Sequence, residues 1–147
     1  MDDSRLSPYA WDLLVEQIFG ANNSWPTPPH KFFLWNVKGL YIDYHYTNPI
    51  CGHYYGGDRL LGKKITTVLP QPMAKGVRLS VFQTLDLQQP LVDYYELMIN
   101  QQSCRVHVRY LPFQGKVLGV VNDYPIQQEE VTTTLPKMRR TKTKNLA

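Results

Sequence analysis

The stretch "LVDYYELMINQQSCRVHVRYLPFQGKVLGVVND", residues 91–123, holds three β-rich runs broken by two turns. The runs are 91–99, 104–112 and 116–123, and "NQQS" and "FQG" are the breaks. Val, Leu, Ile and Tyr dominate them, and such side chains fit a pleated, half-buried surface. In the middle run Cys104, Val106, Val108 and Tyr110 fall on one face, and Arg105, His107 and Arg109 on the other. Successive strand side chains point to opposite faces, so the alternation predicts one buried face and one wet face, with His107 on the wet one. Asp93 and Glu96 occupy positions of opposite parity, which excludes them as an acid/base pair.

Two more strands are legible upstream. In "KFFLWNVKGLYIDYHY", 31–46, the runs 31–36 and 40–46 flank the turn residue Gly39 and predict a hairpin. Leu40, Ile42 and Tyr44 alternate there with Tyr41, Asp43 and His45. Between the two β blocks, "PMAKGVRLSVFQTLDL", 72–87, repeats Met73, Val77, Val81 and Leu85 every four residues, with Ala74 and Phe82 beside them. This spacing predicts a helix with one apolar stripe. Gly76 costs that helix about 1 kcal/mol relative to Ala. Strands at both ends of the chain with helices between them imply one antiparallel sheet whose terminal blocks pair, the helices covering one face.

The connection 47–72 contains "GDRLLGKK", residues 57–64, one residue short of the phosphate-loop pattern G-x-x-x-x-G-K-[ST]. A phosphate loop follows a buried strand, and its hydroxyl residue binds Mg²⁺. Here no strand reads before Gly57, Leu60 and Leu61 call for burial, and Lys64 stands in place of the hydroxyl. The segment reads instead as one helical turn ended by Gly62 at positive φ, with a second short helix in "KKITTVLP".

At the other end, "SPYAWDLLVEQIFG", 7–20, opens with Ser7 as N-cap and Pro8 at the first helical position, and Gly20 suits the C-terminal cap. Trp11, Leu14, Val15 and Ile18 fall at i, i+3, i+4 and i+7. That stripe has two readings, packing on its own domain or self-association in a dimer. Self-association is the expectation carried forward. Residues 21–30 contain three prolines and read as a linker.

The chain has 147 residues, 43% of them hydrophobic, which suits one compact domain. No stretch reaches the ~20 apolar residues of a membrane span. The N-terminus lacks signal-peptide character, and two cysteines without C-x-x-C spacing read as reduced thiols, so a cytoplasmic location is expected. The net charge of +4 is concentrated: residues 137–147 carry five bases and no acid, and the remainder has 11 bases and 12 acids. The folded part thus lacks the overall basic balance of a nucleic-acid-binding domain. The basic tail reads as a solvated terminus, a docking segment for an acidic partner, or a non-specific phosphate contact.

"LLGKKITTVLP", "MAKGVRLSVFQTL", "YYELMINQQSCRVHVRYLP" and "VLGVVND", in this order and spacing, resemble the successive blocks of a PAS domain, most closely the sensor modules of bacterial signalling proteins. The resemblance covers residues 31–125. It implies an α+β fold with a five-stranded antiparallel sheet of order 2-1-5-4-3, helices on one face and an N-terminal flanking helix. It divides the chain into a flanking helix and linker (1–30), the PAS domain (31–125) and a basic, disordered tail (126–147). In many such modules the last strand ends Asp-Ile-Thr, which braces the exit to a signalling helix. Here Asp123 is retained, but Tyr124 and Pro125 follow and no long amphipathic helix comes after. A stand-alone module is expected.

The function so implied is sensory or protein-interaction work by binding rather than catalysis, the expected partners being a second copy or a signalling protein, with a small-molecule or cofactor sensor as the alternative. A ligand pocket between helix and sheet would be walled by Val77, Val81, Phe82, Leu85, Val106 and Val108, unless these simply fill the core. No cofactor is favoured. Haem would need an axial ligand, for which His45 and His53 stand nearest. Flavin photochemistry is disfavoured because neither Cys51 nor Cys104 sits in a fitting segment. Cys51 and His53 lack a second pair for zinc, and no residue set supports catalysis.

Overall fold

The computed structural model describes residues 4–21, 31–47, 57–99, 101–126 and 141–142. Helix α1 spans Pro8–Ala21. Strands β1 (Lys31–Trp35) and β2 (Tyr41–Tyr46) follow. A 3-10 turn, Gly57–Leu60, leads to the short helix α2, Ile65–Val68, and the long helix α3, Met73–Leu87. The chain then forms β3 (Leu91–Ile99), β4 (Gln102–Phe113), β5 (Lys116–Pro125) and β6 (Thr141–Lys142).

All the pairings are antiparallel, and the order is β2-β1-β5-β4-β3-β6. The first five strands stand in the expected order 2-1-5-4-3. The distant hairpin joins the terminal block through β1 and β5, where Phe33 lies opposite Gly119. Gly119 is where two elements meet closely. A Cβ built there would stand 2.4 and 2.5 Å from ring carbons of Trp35, so the absent side chain makes room for the indole.

The sixth strand corrects the expectation that residues 126–147 form only a disordered tail. Thr141 and Lys142 pair with Tyr94 and Asp93 at the free edge of β3. An edge strand offers unpaired N–H and C=O groups to any extended segment within reach. The rest of 127–147 lies outside the described residues.

Helices α2 and α3 lie over one face. Met73, Val77 and Val81 enter a core with Phe33, Trp35, Tyr41, Tyr95, Val108 and Tyr110. The buried face of α3 also takes Ala74, Ser80 and Thr84, completing the helical stripe. Gln88 ends the helix in the left-handed conformation, its N–H bonded to the Thr84 carbonyl at 2.8 Å.

The opposite face is not open. Trp11 packs with Phe32, Leu34, Ile42, Leu118 and Val120, and Leu14, Val15 and Ile18 rest against the same cluster. The stripe expected to mediate self-association is seated on the chain's own sheet, with Trp11 only 3% exposed. The cause is in β1: all five residues of "KFFLW" are buried, so Phe32 and Leu34 need a cover on the side that α3 does not reach. Ser7 caps α1, its hydroxyl accepting the Ala10 N–H at 3.1 Å. The helix continues through Gly20 to Ala21 rather than stopping at the glycine.

The register between β1 and β2 slips between Leu34 and Trp35: Leu34 lies opposite Asp43 and Trp35 opposite Tyr41. The strict alternation expected for 40–46 fails at this bulge. Ile42 and Asp43 both serve the α1 side, whereas Tyr41, Tyr44 and Tyr46 serve the α3 side. Bulges re-aim side chains in this way.

"GDRLLGKK" folds as its apolar residues require. Leu60 is 2% exposed, and Gly62 adopts φ +82. The Gly62 N–H bonds to the Tyr41 carbonyl at 2.7 Å, and the Tyr41 N–H to the Lys63 carbonyl at 3.0 Å. The segment is a buttress on β2.

Candidate ligand cleft and its polar supports

The pocket expected around the middle of α3 is filled. Val77, Val81 and Val108 are 1%, 0% and 2% exposed, and Phe82 and Leu85 are partly buried. Only a void of about 20 Å³ remains there, bordered by Trp35, Tyr41, Met73, Val77 and Val108. Large aromatic rings from β1, β2 and β4 occupy the volume that a ligand would take: Trp35 and Tyr41 stand 5.6 Å apart, and Trp35 and Tyr110 6.0 Å.

A cleft of about 480 Å³ opens instead at the N-terminal end of α3. Its apolar wall comes from Leu60, Val68, Leu69, Met73, Leu97 and Val106, while Arg59, Lys63 and Thr67 supply polar groups. Val106 is the one residue of the expected pocket that lines it. The 3-10 turn, α2 and the ends of β3 and β4 meet there because α2 is a single turn that leaves a gap before α3. Sequence reading placed the cavity under the long helix, where the four-residue repeat was strongest. That repeat marks burial and carries no signal for a gap.

The core between α3 and the sheet holds a buried carboxyl group. Asp93 is 0% exposed and one of its oxygens accepts hydroxyls from Ser80 (2.6 Å), Tyr95 (3.1 Å) and Tyr110 (3.0 Å). Burial, then Asp93, raises the Tyr110 pKa well above the ordinary phenol value, so the phenol stays a donor. Ser80 on α3 and Asp93 on β3 thereby lock helix to sheet.

A second buried carboxylate, Asp43, anchors the N-terminal segment. It is 1% exposed and accepts the Trp11 indole N–H at 2.9 Å, the Leu6 N–H at 2.7 Å, the Arg5 guanidinium at 3.0 Å and the Tyr44 N–H at 2.8 Å. The Asp43 bond is the first cause of the raised Arg5 pKa. Arg5 continues to Asp58 at 3.3 Å, and the Tyr44 hydroxyl donates to the same Asp58 oxygen at 2.5 Å. The Tyr44 bond is the main cause of the lowered Asp58 pKa. This network ties the approach to α1, strand β2 and the 3-10 turn together. Sequence reading missed Asp43 because the bulge that aims it has no signature in "LYIDYHY".

Asp123, expected to brace a signal exit, forms an ion pair with Lys31. The pair joins the end of β5 to the start of β1, where the preceding segment enters the sheet. Lys31 is 1% exposed.

The histidines and cysteines fall as follows. His45 stacks on Trp11 with ring centroids 5.2 Å apart, so it lies on the α1 side, away from the cleft and from a haem held there. His107, expected on a wet face, is 8% exposed and stacks on Tyr94 at 4.6 Å. Burial, with help from Arg109, lowers its pKa to about 4. Cys104 is buried, its thiol donating to the Gln102 carbonyl at 3.5 Å. Cys51 and His53 lie outside the described residues. No three His, Cys, Asp or Glu side chains converge as a metal site among the described residues. No helix among the described residues is long and apolar enough to cross a membrane.

The sheet order, the helices between β2 and β3 and the flanking α1 are the arrangement that the PAS resemblance implied: the fold is of the PAS type. Solved structures similar to it include a domain of an HTR-like protein from Haloarcula marismortui, 14% identical with a TM-score of 0.46, covering 67% of this chain and 99% of that one. The PAS domain of BvgS from Bordetella pertussis is also 14% identical, with a TM-score of 0.45, covering 78% of this chain and 85% of the other. No protein-family model and no curated protein matches the sequence.

Proposed function

We propose that the chain is a sensory module of signal transduction that works by binding an amphipathic small molecule in the cleft at the N-terminal end of α3. The observation that carries this reading is the lining: an apolar wall of Leu60, Val68, Leu69, Met73, Leu97 and Val106 with the cations Arg59 and Lys63 among it. Such a site suits an apolar body with an anionic head. Occupancy bears on α2, α3 and the ends of β3 and β4 together, so a ligand that prefers one placement of α2 shifts the population of the whole helical layer. In this reading the work is binding, for which the described polar groups of the lining, Arg59, Lys63 and Thr67, serve to hold an anionic head.

Anilinonaphthalene sulfonate, an apolar ring system with an anionic group, tests the reading by fluorescence titration. Saturable binding to the folded chain is expected, weakened by Arg59→Glu with Lys63→Glu and blocked by Val68→Trp. Binding indifferent to both variants, with unchanged circular dichroism, overturns the assignment.

Homodimerisation is a second reading, now resting on different residues. Tyr9 and Leu13, one turn apart on α1, are 72% and 44% exposed. Native mass spectrometry reports the state directly: a dimer lost on Tyr9→Ser with Leu13→Ser supports it, and a monomer of the unaltered chain removes it.

A further inference from the structure

The two lysines that close "GDRLLGKK" serve different places. Lys63 lines the cleft described above, and Lys64 lines a second concavity of about 470 Å³. Lys38, Lys75 and Arg78 line it too, with Thr66 and Gln71 between them, and no lining residue is acidic.

Backbone contacts bring these cations together from three segments. The Asn36 side-chain oxygen accepts the N–H groups of Lys38 at 2.9 Å and Leu40 at 3.0 Å, which shapes the β1–β2 turn. Gly39 holds φ +76, and a Cβ there would come 3.3 Å from the Phe82 ring, so the turn rests against α3. The Ile65 N–H reaches the Gly39 carbonyl at 3.4 Å, and Leu40 pairs with Lys64 in an isolated bridge. Lys38 and Lys64 are thereby fixed to each other through main chain. Lys75 and Arg78 are three residues apart on α3 and share a face. The Arg78 guanidinium lies 5.0 Å from the Phe82 ring centroid, which steadies it by a cation–π contact.

This clustering is not the by-product of a basic domain. Outside residues 137–147 the chain has 11 bases and 12 acids. Arg5, Lys31 and Arg105 are each paired with a carboxylate. Lys38, Lys64, Lys75 and Arg78 form no ion pair with a described residue. Four cations face one concavity, and a polyanion seated there would relieve their mutual repulsion.

We propose that this concavity binds an oligophosphate group, two or more linked phosphates, as free inorganic oligophosphate or as the phosphate chain of a nucleotide. A single phosphate engages one or two of the cations, whereas a linked chain spans the turn, α2 and α3 at once. Lys38, Lys64 and Lys75 act as point charges, Arg78 offers its planar fork, and the Thr66 hydroxyl and Gln71 amide donate to oxygens between them. The mode differs from a phosphate loop, because the cations are side chains from separate elements. The bound anion would clamp the β1–β2 turn to the helical layer.

Isothermal titration calorimetry of the full chain with tripolyphosphate, orthophosphate and ATP at low salt tests this. Tripolyphosphate is expected to bind at least about tenfold tighter than orthophosphate, a difference of ~1.4 kcal/mol. Lys75→Glu with Arg78→Glu should weaken it by about tenfold or more with circular dichroism unchanged. Lys38→Ala with Lys64→Ala repeats the test if that pair misfolds. Replacing Lys137, Arg139, Arg140 and Lys144 by serine should leave the binding in place. ATP matching tripolyphosphate identifies the phosphate chain alone as the determinant, and tighter ATP binding identifies a nucleotide; both uphold the site. Absence of tripolyphosphate binding, loss of it in the tail variant, or equal weakening by Arg59→Glu with Lys63→Glu overturns the proposal.

Discussion

Replacing Asp43 by alanine removes the acceptor on which α1 is hung. The carboxylate is 1% exposed and takes the Trp11 indole N–H, the Leu6 N–H and the Arg5 guanidinium. Trp11 is itself buried, so its N–H is left without an acceptor, at a cost of about 1–3 kcal/mol. The partly buried Leu6 N–H adds to this. The Arg5 contact adds little, since its side chain is 47% exposed and solvent screens it. The sum is ~2–4 kcal/mol, set mainly by the buried indole N–H with the Leu6 N–H beside it. For a domain of this size that is a drop in melting temperature of roughly 6–16 °C. Urea denaturation followed by circular dichroism reads the loss. A double-mutant cycle with Trp11→Phe, which keeps the ring and deletes the N–H, isolates the shared bond and should return a coupling of ~1–2 kcal/mol. A loss below ~1 kcal/mol for Asp43→Ala, together with zero coupling to Trp11→Phe, would refute the anchoring role.

Gly119→Ala should cost ~1–3 kcal/mol by overpacking, because its Cβ would press on the Trp35 ring, and Trp35→Leu should recover part of the loss in a melting experiment. Trp11→Asp should unfold the chain or lower its melting temperature sharply, since the charge would enter the cluster of Phe32, Leu34 and Leu118; a folded monomer of unchanged stability would restore the self-association reading. His107 has a folded-state pKa near 4 against an ordinary 6.5, so the unfolded chain binds the extra proton between these values. Its contribution to stability is therefore present above pH 6.5 and lost as pH falls toward about 4. His107→Phe, which keeps a ring on Tyr94, should flatten urea midpoints measured from pH 6.5 to 5.

The strands and the long helix were legible in the sequence because their side-chain periods are strong. The run 91–99 is the observed β3 residue for residue, and 72–87 misses the observed helix by one residue. The short turns around Gly62 were legible from Leu60 and from the glycine's conformational freedom. Three features were not. The cover over Phe32 and Leu34 depends on which of two faces α1 meets, and periodicity shows that a stripe exists without naming its partner. Asp43 and Asp93 read as polar strand residues, since a charged letter carries no mark of the donors that converge on it from Trp11, Ser80 and Tyr110. The cleft arises where a helix ends, and the basic concavity where Lys38, Lys64 and Lys75 meet across 37 positions of sequence; neither is written in any local pattern.

The two residues laid along the border of β3 bear on how copies of the molecule can meet. Sheets grow sideways when a bare backbone recruits a neighbour's. Here Thr141 and Lys142 occupy that position at Tyr94 and Asp93. Lateral fusion through those two residues must therefore begin with an internal peeling step. Its onset would follow the rate of that opening before it followed concentration.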